Sequence, residues 1–461
     1  MQKKQEFTAQ QKEQISRLVQ ELMGTSEREN LSLDLPPVWM DGDRLDEGRF
    51  AEEYLRVHPM RCFNRVLFDE GGRVNEDQLS KDILCMVKDY KKSNLPRLVG
   101  NLLTTIKISC TEDNLTYQTD RIHLKNGTFF LGGEFREDKE ICINRLPVRY
   151  NVNAPPPERW YSFLHDLLED EDILTLQEYM GYLLIPTNKA QKMLLLLGKG
   201  GEGKSVIGLV LQRLLGNNMN VSSIQSLTNS RFQRAAQEFK LLMLDDDMQM
   251  EALQDTGYLK SLITLEGKTD LERKGQQSVQ GELKVRFLGL SNGNLEALFD
   301  RSYGFFRRQL ILRTKERDEK RVDDPFLIDK LKKELEGIFL WCLDGLKRLI
   351  TNQYRFTQSN QAKENLKQAI RSANNIVEFL EDQHFVRFET GTTATTRQMY
   401  AAYQKWCDAN LERVLSQKTF ANYLSQHQEK LGIRYRKNIP VGMNQTARGY
   451  EGIHVMVRDD L

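Results

Sequence analysis

The sequence contains no apolar run longer than a few residues and no excess of charge of either sign, since its formal net charge is +1. A membrane-spanning helix needs about 20 consecutive apolar residues, so we expect no transmembrane segment. The first 24 residues are polar and charged, without the apolar stretch of a signal peptide. These absences predict a cytoplasmic protein. Near-neutral charge argues only weakly against DNA binding, because a channel can be locally basic on a neutral protein.

The six cysteines form no C-x-x-C pair, and their spacing predicts neither a zinc site nor a disulfide framework. We therefore expect buried or inert thiols in a reducing cytosol. Hydrophobic residues make up 39% and charged residues 28% of the chain, the balance of a soluble globular protein. A length of 461 residues predicts about two to four domains.

One glycine-rich segment carries the strongest functional signal. Residues 193–197 are apolar, as in a buried strand, and residues 198–205 fit the pattern G-x-x-x-x-G-K-[ST] of a phosphate-binding loop. An apolar helix follows up to Gly216. Backbone amides of such a loop surround nucleotide phosphates, Lys204 reaches the β- and γ-phosphates, and the Ser205 hydroxyl binds Mg²⁺. We predict that ATP is bound by Gly198, Gly200, Gly201, Glu202, Gly203, Lys204, Ser205 and Val206.

A second apolar segment, residues 241–244, ends in three consecutive aspartates. A carboxylate at this position can hold Mg²⁺, and its neighbour can orient or deprotonate the attacking water. We predict that Asp245 binds Mg²⁺ and that Asp246 acts on the water, with Asp247 as the competitor.

Polar side chains follow or precede two further apolar segments. Asn292 follows the predicted strand over residues 285–290, where an amide can position water against the γ-phosphate; alone, the Asn-Gly pair indicates a turn. Arg307 and Arg308 precede residues 310–312. An arginine at a subunit edge can stabilise transition-state charge on a neighbouring subunit's nucleotide. A pair of solvated surface arginines is the alternative.

Residues 270–281 predict a hairpin with a basic, glycine-containing tip. Arg273 and Lys274 at this tip can contact a phosphate backbone without reading its sequence. A solvated charged turn is the alternative interpretation.

The C-terminal segment predicts a helix over residues 416–431 and strands over residues 433–437 and 453–457, which flank a loop with Gly442 and Arg448. Helices followed by a two-stranded wing with basic tips suit binding to duplex or forked DNA. A small α/β interaction domain with solvated basic residues is the alternative.

Taken together, the order of these segments resembles superfamily 3 helicases, and more narrowly the helicase part of the poxvirus-type phage and plasmid primase–helicase family carried by mobile elements. The resemblance spans most of the chain and rests on residues 124–127, 145–150, 176–182, 198–205, 230–232, 259–260, 272–274, 291–292, 304–308, 395–406 and 448–453.

The resemblance implies a hexameric ring that hydrolyses ATP between subunits and moves along single-stranded DNA, typically 3′ to 5′. It implies replication of a phage, plasmid or integrated element in a bacterial host, with forked DNA and possible contacts to a separate primase or single-strand-binding protein. Asn292 matches the family's polar sensor, Arg307 or Arg308 its arginine finger, and Arg273 and Lys274 its channel hairpin.

Two features depart from the family. The acidic strand ends in three aspartates rather than the usual Asp-Glu pair. Residues 1–120 carry no paired-carboxylate signature of a polymerising primase, so we expect no primase active site there.

These observations predict an α/β fold with a P-loop NTPase core of the AAA+ type, a mainly helical N-terminal region and a C-terminal winged-helix domain. An amphipathic helix is expected over residues 1–24, and three prolines at 155–157 indicate a nearby domain boundary. The predicted domains are 1–120 (N-terminal), 121–190 (connecting collar), 191–318 (ATPase core), 319–372 (helical connector) and 373–461 (winged-helix-like).

Two other functions stay open. A P-loop kinase acting on a small molecule would need a lid and an acceptor pocket but no DNA hairpin or winged domain, and DNA-stimulated ATPase activity separates it from a helicase. A P-loop ATPase that acts as a DNA-binding initiator or regulator would not displace a strand from forked DNA.

Overall fold

The computed structural model describes residues 37–114, 116–248, 257–264, 267–275, 277–292, 307–317, 322–373, 375–412, 414–442 and 445–456. The predicted helix over residues 1–24 lies outside the described residues. The chain divides into two compact units. The first comprises Met1–Leu67 and Asn75–Glu112, and the second comprises Phe68–Val74 and Asp113–Leu461.

The first unit is mainly helical in its described part. Its elements are β1 (Met40–Asp41), β2 (Arg44–Leu45), α1 (Glu47–Val57), β3 (Arg61–Phe63), α2 (Glu76–Val87) and α3 (Leu95–Ser109). Side chains cap two of these helices, because Asp46 accepts a hydrogen bond from the amide of Arg49 and Asn75 accepts from the amide of Asp77. Such caps satisfy amides that have no partner inside the helix.

The chain passes from the first unit to the second within β4 (Val66–Asp69). The short strands of the second unit are β5 (Gly72–Arg73), β6 (Arg121–Leu124), β7 (Gly127–Phe130), β8 (Phe135–Arg136) and β9 (Arg145–Leu146). Strands β6 and β7 pair antiparallel with Leu124 opposite Gly127, and residues 125–126 form the turn between them. A side chain at position 127 would begin 2.1 Å from the carbonyl oxygen of Arg136, and only glycine fits there.

Two helices follow, α4 (Glu158–Leu167) and α5 (Asp170–Tyr182). The three prolines lead directly into α4. A methyl group on Gly337 would lie 2.5 Å from the carbonyl oxygen of Pro155, so this extended segment packs closely on a later helix within the second unit. The predicted domain bounds stay predictions.

A five-stranded parallel sheet forms the centre of the second unit. Its strands are β10 (Met193–Leu197), β11 (Met219–Val221), β12 (Leu242–Asp245), β15 (Arg286–Ser291) and β16 (Gln309–Arg313), in the spatial order β11-β12-β15-β10-β16. The strands predicted over residues 193–197, 241–244 and 285–290 are thereby confirmed. Parallel strands covered on both faces are near-continuously apolar, which is why their sequences show no alternation.

Helices and one hairpin surround this sheet. They are α6 (Lys204–Leu215), a 3-10 turn (Gly216–Asn218), α7 (Ser226–Asn229), α8 (Arg231–Ala235), α9 (Gly257–Thr264), β13 (Lys268–Leu271), β14 (Val279–Glu282), α10 (Leu327–Lys333), α11 (Leu335–Thr351) and α12 (Asn360–Ala373). Strands β13 and β14 pair antiparallel with Leu271 opposite Val279, which confirms the predicted hairpin.

The C-terminal segment has its own apolar core, which includes Phe379, Tyr403 and Phe420. Its elements are α13 (Ile376–Glu381), β17 (Val386–Arg387), β18 (Thr393–Thr395), α14 (Thr396–Ala409), α15 (Gln417–Gln426), α16 (Gln428–Leu431), β19 (Arg434–Gly442), β20 (Gln445–Glu451) and β21 (His454–Val455).

The strand pairing predicted for this segment was wrong in one respect. Strand β19 pairs with β20, which contains Arg448, whereas β21 pairs with β17. The sequence of β20 resembled a loop because of its glycine. A side chain on Gly449 would begin 2.2 Å from the carbonyl oxygen of Ala394, so this glycine permits the close approach of β18.

Candidate functional site

The glycine-rich loop connects the carboxyl end of β10 to α6. Gly200, Gly201 and Gly203 have φ angles of 113°, 84° and 109°, a left-handed region that favours glycine. Gly203 is the N-cap of α6, whose first residue is Lys204. The unpaired amides at a helix N-terminus attract anions. The loop therefore has the backbone geometry expected of an anion-binding turn.

The carboxylate of Glu202 lies inside this loop. It accepts hydrogen bonds from the Lys204 ammonium at 2.7 Å, from the Gly200 amide at 2.8 Å and from the Lys199 amide. The side chains of Lys204 and Glu202 are 7% and 4% exposed. Burial alone would raise the pKa of Glu202, but the bond from Lys204 and the loop amides hold it below its usual value. Three donors suited to a phosphate thus converge on one anionic group.

The other predicted loop residues occupy the first turn of α6. Ser205 is exposed, and no hydrogen bond joins its hydroxyl to Asp245 in the described part of the chain. Val206 is half-buried, and its amide donates to the carbonyl of Gly203 at 3.0 Å. A side chain on Gly198 would begin 2.6 Å from Nζ of Lys204, so the lysine side chain would have to move to admit one.

The three aspartates differ in their surroundings. Asp245 ends β12 and is buried, and its Oδ2 accepts a hydrogen bond from the Ile224 amide at 2.7 Å. Burial raises the pKa of Asp245, while the amides of Ile224 and Asp247 act in the opposite direction. Asp246 and Asp247 are exposed. Among the described residues, backbone amides therefore hold the carboxylate of Asp245 and neither of the other two.

Asn292 lies beside the loop. The preceding residue, Ser291, is opposite Leu197 in the sheet, and its carbonyl accepts a hydrogen bond from the Gly198 amide at 3.1 Å. A methyl group on Gly200 would lie 3.9 Å from Oδ1 of Asn292. The carboxyl ends of β10 and β15 therefore bring this amide to the loop.

Sequence reasoning missed three residues that follow β16, namely Thr314, Glu316 and Arg317. A methyl group on Gly198 would lie 2.5 Å from Thr314 Oγ1, which is buried without a hydrogen-bond partner among the described residues. Arg317 donates to the carbonyl of Gly201 at 3.3 Å, and Glu316 pairs with Lys199. The available signal was the polar run directly after an apolar strand.

Arg307 and Arg308 directly precede β16, at the end of the parallel strands opposite to the one from which the loop extends. The carbonyl of Arg308 accepts a hydrogen bond from the amide of Met193, the first residue of β10. Strand β16 has 5 residues, which at about 3.3 Å per residue separates its two ends by about 17 Å. The structure therefore does not bring these arginines to the loop of their own chain. Burial, and then the charge of Arg307, lower the pKa of Arg308.

The two cations of the hairpin tip have different environments. Arg273 forms an ion pair with Glu238, whose side chain is 1% exposed. Lys274 is exposed and precedes Gly275, which has a φ angle of 72°. The structure therefore ties Arg273 to a buried carboxylate, while Lys274 faces solvent.

Across the described ranges, no group of three or more His, Cys, Asp or Glu side chains could hold a metal ion. All six cysteines are free, and burial raises the pKa of Cys142 to about 11. Within those ranges no helix combines the length and apolar character needed to cross a bilayer.

Two segments of the sequence match known families, and the fold as a whole is similar to solved structures. Residues 196–308 match a family described as a family of unknown function (DUF5906), and residues 371–455 match the family described as poxvirus D5 protein-like. Two solved structures of the apo C-terminal region of NrS-1 are similar over most of the chain. One is 12% identical with a TM-score of 0.54 and covers 89% of this chain and 99% of that chain.

The second is 10% identical with a TM-score of 0.52 and covers 88% of this chain and 99% of that chain. At such low identity the similarity concerns the fold alone. The chain thus shares the mixed α/β fold of the NrS-1 C-terminal region, and its residues 371–455 resemble the poxvirus D5-like family.

Proposed function

We propose that the chain is an ATP-driven DNA helicase of superfamily 3 that works as a hexameric ring in the replication of a phage, plasmid or integrated element. The observation that carries the proposal is the loop between β10 and α6, in which two backbone amides and Lys204 converge on one anionic group. The D5-like match of residues 371–455 supports a replication-related family.

In this proposal the loop amides and Lys204 bind the phosphates of ATP, and Glu202 leaves the loop when they do. Ser205 and Asp245 hold Mg²⁺, since a buried carboxylate fixed by backbone amides is preorganised to bind a cation. Asp246 is exposed beside it and orients the attacking water. Asn292, next to Gly200, contacts the same water or the γ-phosphate.

Hydrolysis in this proposal requires a second copy of the chain. Arg307 and Arg308 precede β16 at the edge of the sheet away from their own loop. An arginine that stabilises transition-state charge must contact the phosphates directly. A neighbouring copy therefore supplies it, as a ring arrangement allows.

The C-terminal elements support contact with DNA. Helices α14 and α15 lie in the chain between β18 and β19, and these strands form the antiparallel sheet β18-β20-β19, an arrangement that suits a winged helix. Arg434 and Lys437 on β19 are exposed. We infer that this domain contacts duplex or forked DNA and that Lys274 of the hairpin contacts the single strand.

A second candidate function is that of a DNA-binding initiator or regulator whose ATPase does not unwind DNA. The pairing of Arg273 with buried Glu238 favours this second function, because of the two cations at the hairpin tip it leaves only Lys274 directed to solvent.

ATPase activity and strand displacement test the two candidates together. We expect single-stranded DNA to stimulate hydrolysis of ATP, and ATP to drive displacement of a labelled strand from a forked substrate. Stimulated hydrolysis without displacement would favour the regulator. A protein that neither binds nor hydrolyses nucleotide, with or without DNA, would disprove both.

A further inference from the structure

A pocket of about 410 Å³ lies in the second unit, away from the glycine-rich loop. Its wall includes the 3-10 turn at Gly216–Asn218, which follows the last residue of α6. The loop precedes the first residue of the same helix. The 12 residues of α6 rise by about 18 Å, so the pocket and the loop lie at opposite ends of the helix.

Five cationic side chains line this pocket, and none of its described lining residues is a carboxylate. They are Arg73, Lys125, Lys139, Arg145 and Lys240. None of the five forms an ion pair in the part of the chain that the structure describes. Two nearby carboxylates have other partners, since Asp69 accepts from the Gly71 amide at 2.7 Å and Glu140 pairs with Arg121 at 3.0 Å. We refer to this site as the basic pocket.

Arg145 is held in place without being neutralised. Its guanidinium donates to the backbone carbonyl oxygens of Glu70, Leu124, Gly127 and Glu140. Carbonyl oxygens orient a guanidinium, but they carry no net charge. A full positive charge therefore remains fixed at the wall of the basic pocket.

Lys240 adds a partly buried ammonium, which donates to the carbonyl of Asn217. Burial and then the charge of Arg73 lower the pKa of Lys240 to about 8. A bound anion would favour the charged form of this lysine. Lys125 and Lys139 are exposed, and among the described residues their side chains form no hydrogen bond.

We propose that the basic pocket binds phosphate groups of a single DNA strand. The walls supply fixed charge from Arg145 and Lys240, and the exposed lysines give a strand access. The volume lies within the range of about 300–1,000 Å³ typical of ligand sites. The choice of a strand over a free phosphate rests on the proposed helicase function.

Removal of the two exposed lysines tests the proposal in the full-length chain. The test variant is Lys125→Ala with Lys139→Ala, and the control is Lys332→Ala with Lys333→Ala, which removes two exposed lysines from α10. Fluorescence anisotropy measures the affinity for labelled single-stranded DNA over a series of salt concentrations. Thermal unfolding confirms that both variants fold.

The test variant should bind DNA about tenfold more weakly, and its salt dependence should be shallower by about 1.4, because each phosphate contact with a single strand contributes about 0.7 to the slope. The control should bind like the wild type. Equal affinity and slope in the test variant and the wild type would overturn the basic pocket alone and leave the helicase proposal intact.

A second measurement separates a strand from a free phosphate. Calorimetry with inorganic tripolyphosphate, in a Lys204→Ala background, reports anion binding outside the loop. If the two lysine substitutions abolish tripolyphosphate binding but leave DNA affinity unchanged, the pocket serves a free phosphate and the proposal is overturned. A wild-type protein that binds no DNA would overturn the proposed function as well.

Discussion

Glu202→Gln should increase the affinity of the chain for ATP. In the structure the Glu202 carboxylate accepts bonds from Lys204, the Gly200 amide and the Lys199 amide, the donors that we assign to phosphate. When ATP binds, its phosphates must replace the Glu202 carboxylate as the acceptor of these bonds. A hydrogen bond between charged groups contributes about 1.5–3 kcal/mol net, and glutamine keeps one acceptor oxygen. We therefore expect a gain of about 1–2 kcal/mol, or about five- to thirtyfold in Kd.

The same substitution should lower the stability of the nucleotide-free protein. It leaves the Lys204 ammonium buried without its counter-charge, and breaking such a pair costs up to about 3–5 kcal/mol. The pKa of Glu202 is lowered in the folded chain. The pair therefore stabilises the fold at neutral pH, and this contribution is lost as the pH falls through the folded-state pKa.

Titration with a fluorescent ATP analogue at neutral pH measures the change in affinity, and thermal unfolding measures the change in stability. Glu316→Gln is the matched control, because Glu316 pairs with Lys199 of the same loop but at an exposed position, where screening leaves little effect. A folded Glu202→Gln variant with unchanged or weaker ATP binding would refute the reasoning.

Three further predictions concern the proposed site. Lys204→Ala should abolish ATP hydrolysis, and near wild-type turnover would remove the loop from the mechanism. Arg308→Ala should retain nucleotide binding but lose hydrolysis. If the arginine acts on the nucleotide of a neighbouring copy, mixing this variant with Lys204→Ala subunits should partly restore hydrolysis. Normal hydrolysis by Arg308→Ala alone would contradict a role of this arginine in catalysis. Arg317→Ala should weaken ATP binding about tenfold, because its guanidinium lies at the Gly201 carbonyl; equal affinities by the same titration would exclude that role.

Much of the fold could be predicted from local sequence. The apolar run before the loop predicted β10, and the hairpin over residues 270–281 was found as expected. These features depend on neighbours in the chain, such as turn residues and short apolar segments. The pairing of β20 was missed because its glycine reflects contact with β18, which local sequence does not reveal.

The candidate site was predicted in part. Asn292 was expected beside the loop and lies there, whereas Thr314 and Arg317 were missed. Their position depends on β16 being the neighbour of β10, a pairing between residues more than a hundred positions apart in the sequence. The ion pair of Arg273 with Glu238 likewise joins distant segments.

The sequence by itself determined the chemistry of the loop, because glycines with positive φ, the lysine and the following helix are adjacent in the chain. Tertiary structure alone decided which side chains lie beside the loop, at the carboxyl ends of the parallel strands, and which lie at the opposite ends of those strands. It placed Arg317 beside the loop and Arg307 and Arg308 at the far edge, and it assembled the basic pocket from separate segments. The physical reason is that strand order follows from long-range packing, which no local pattern encodes.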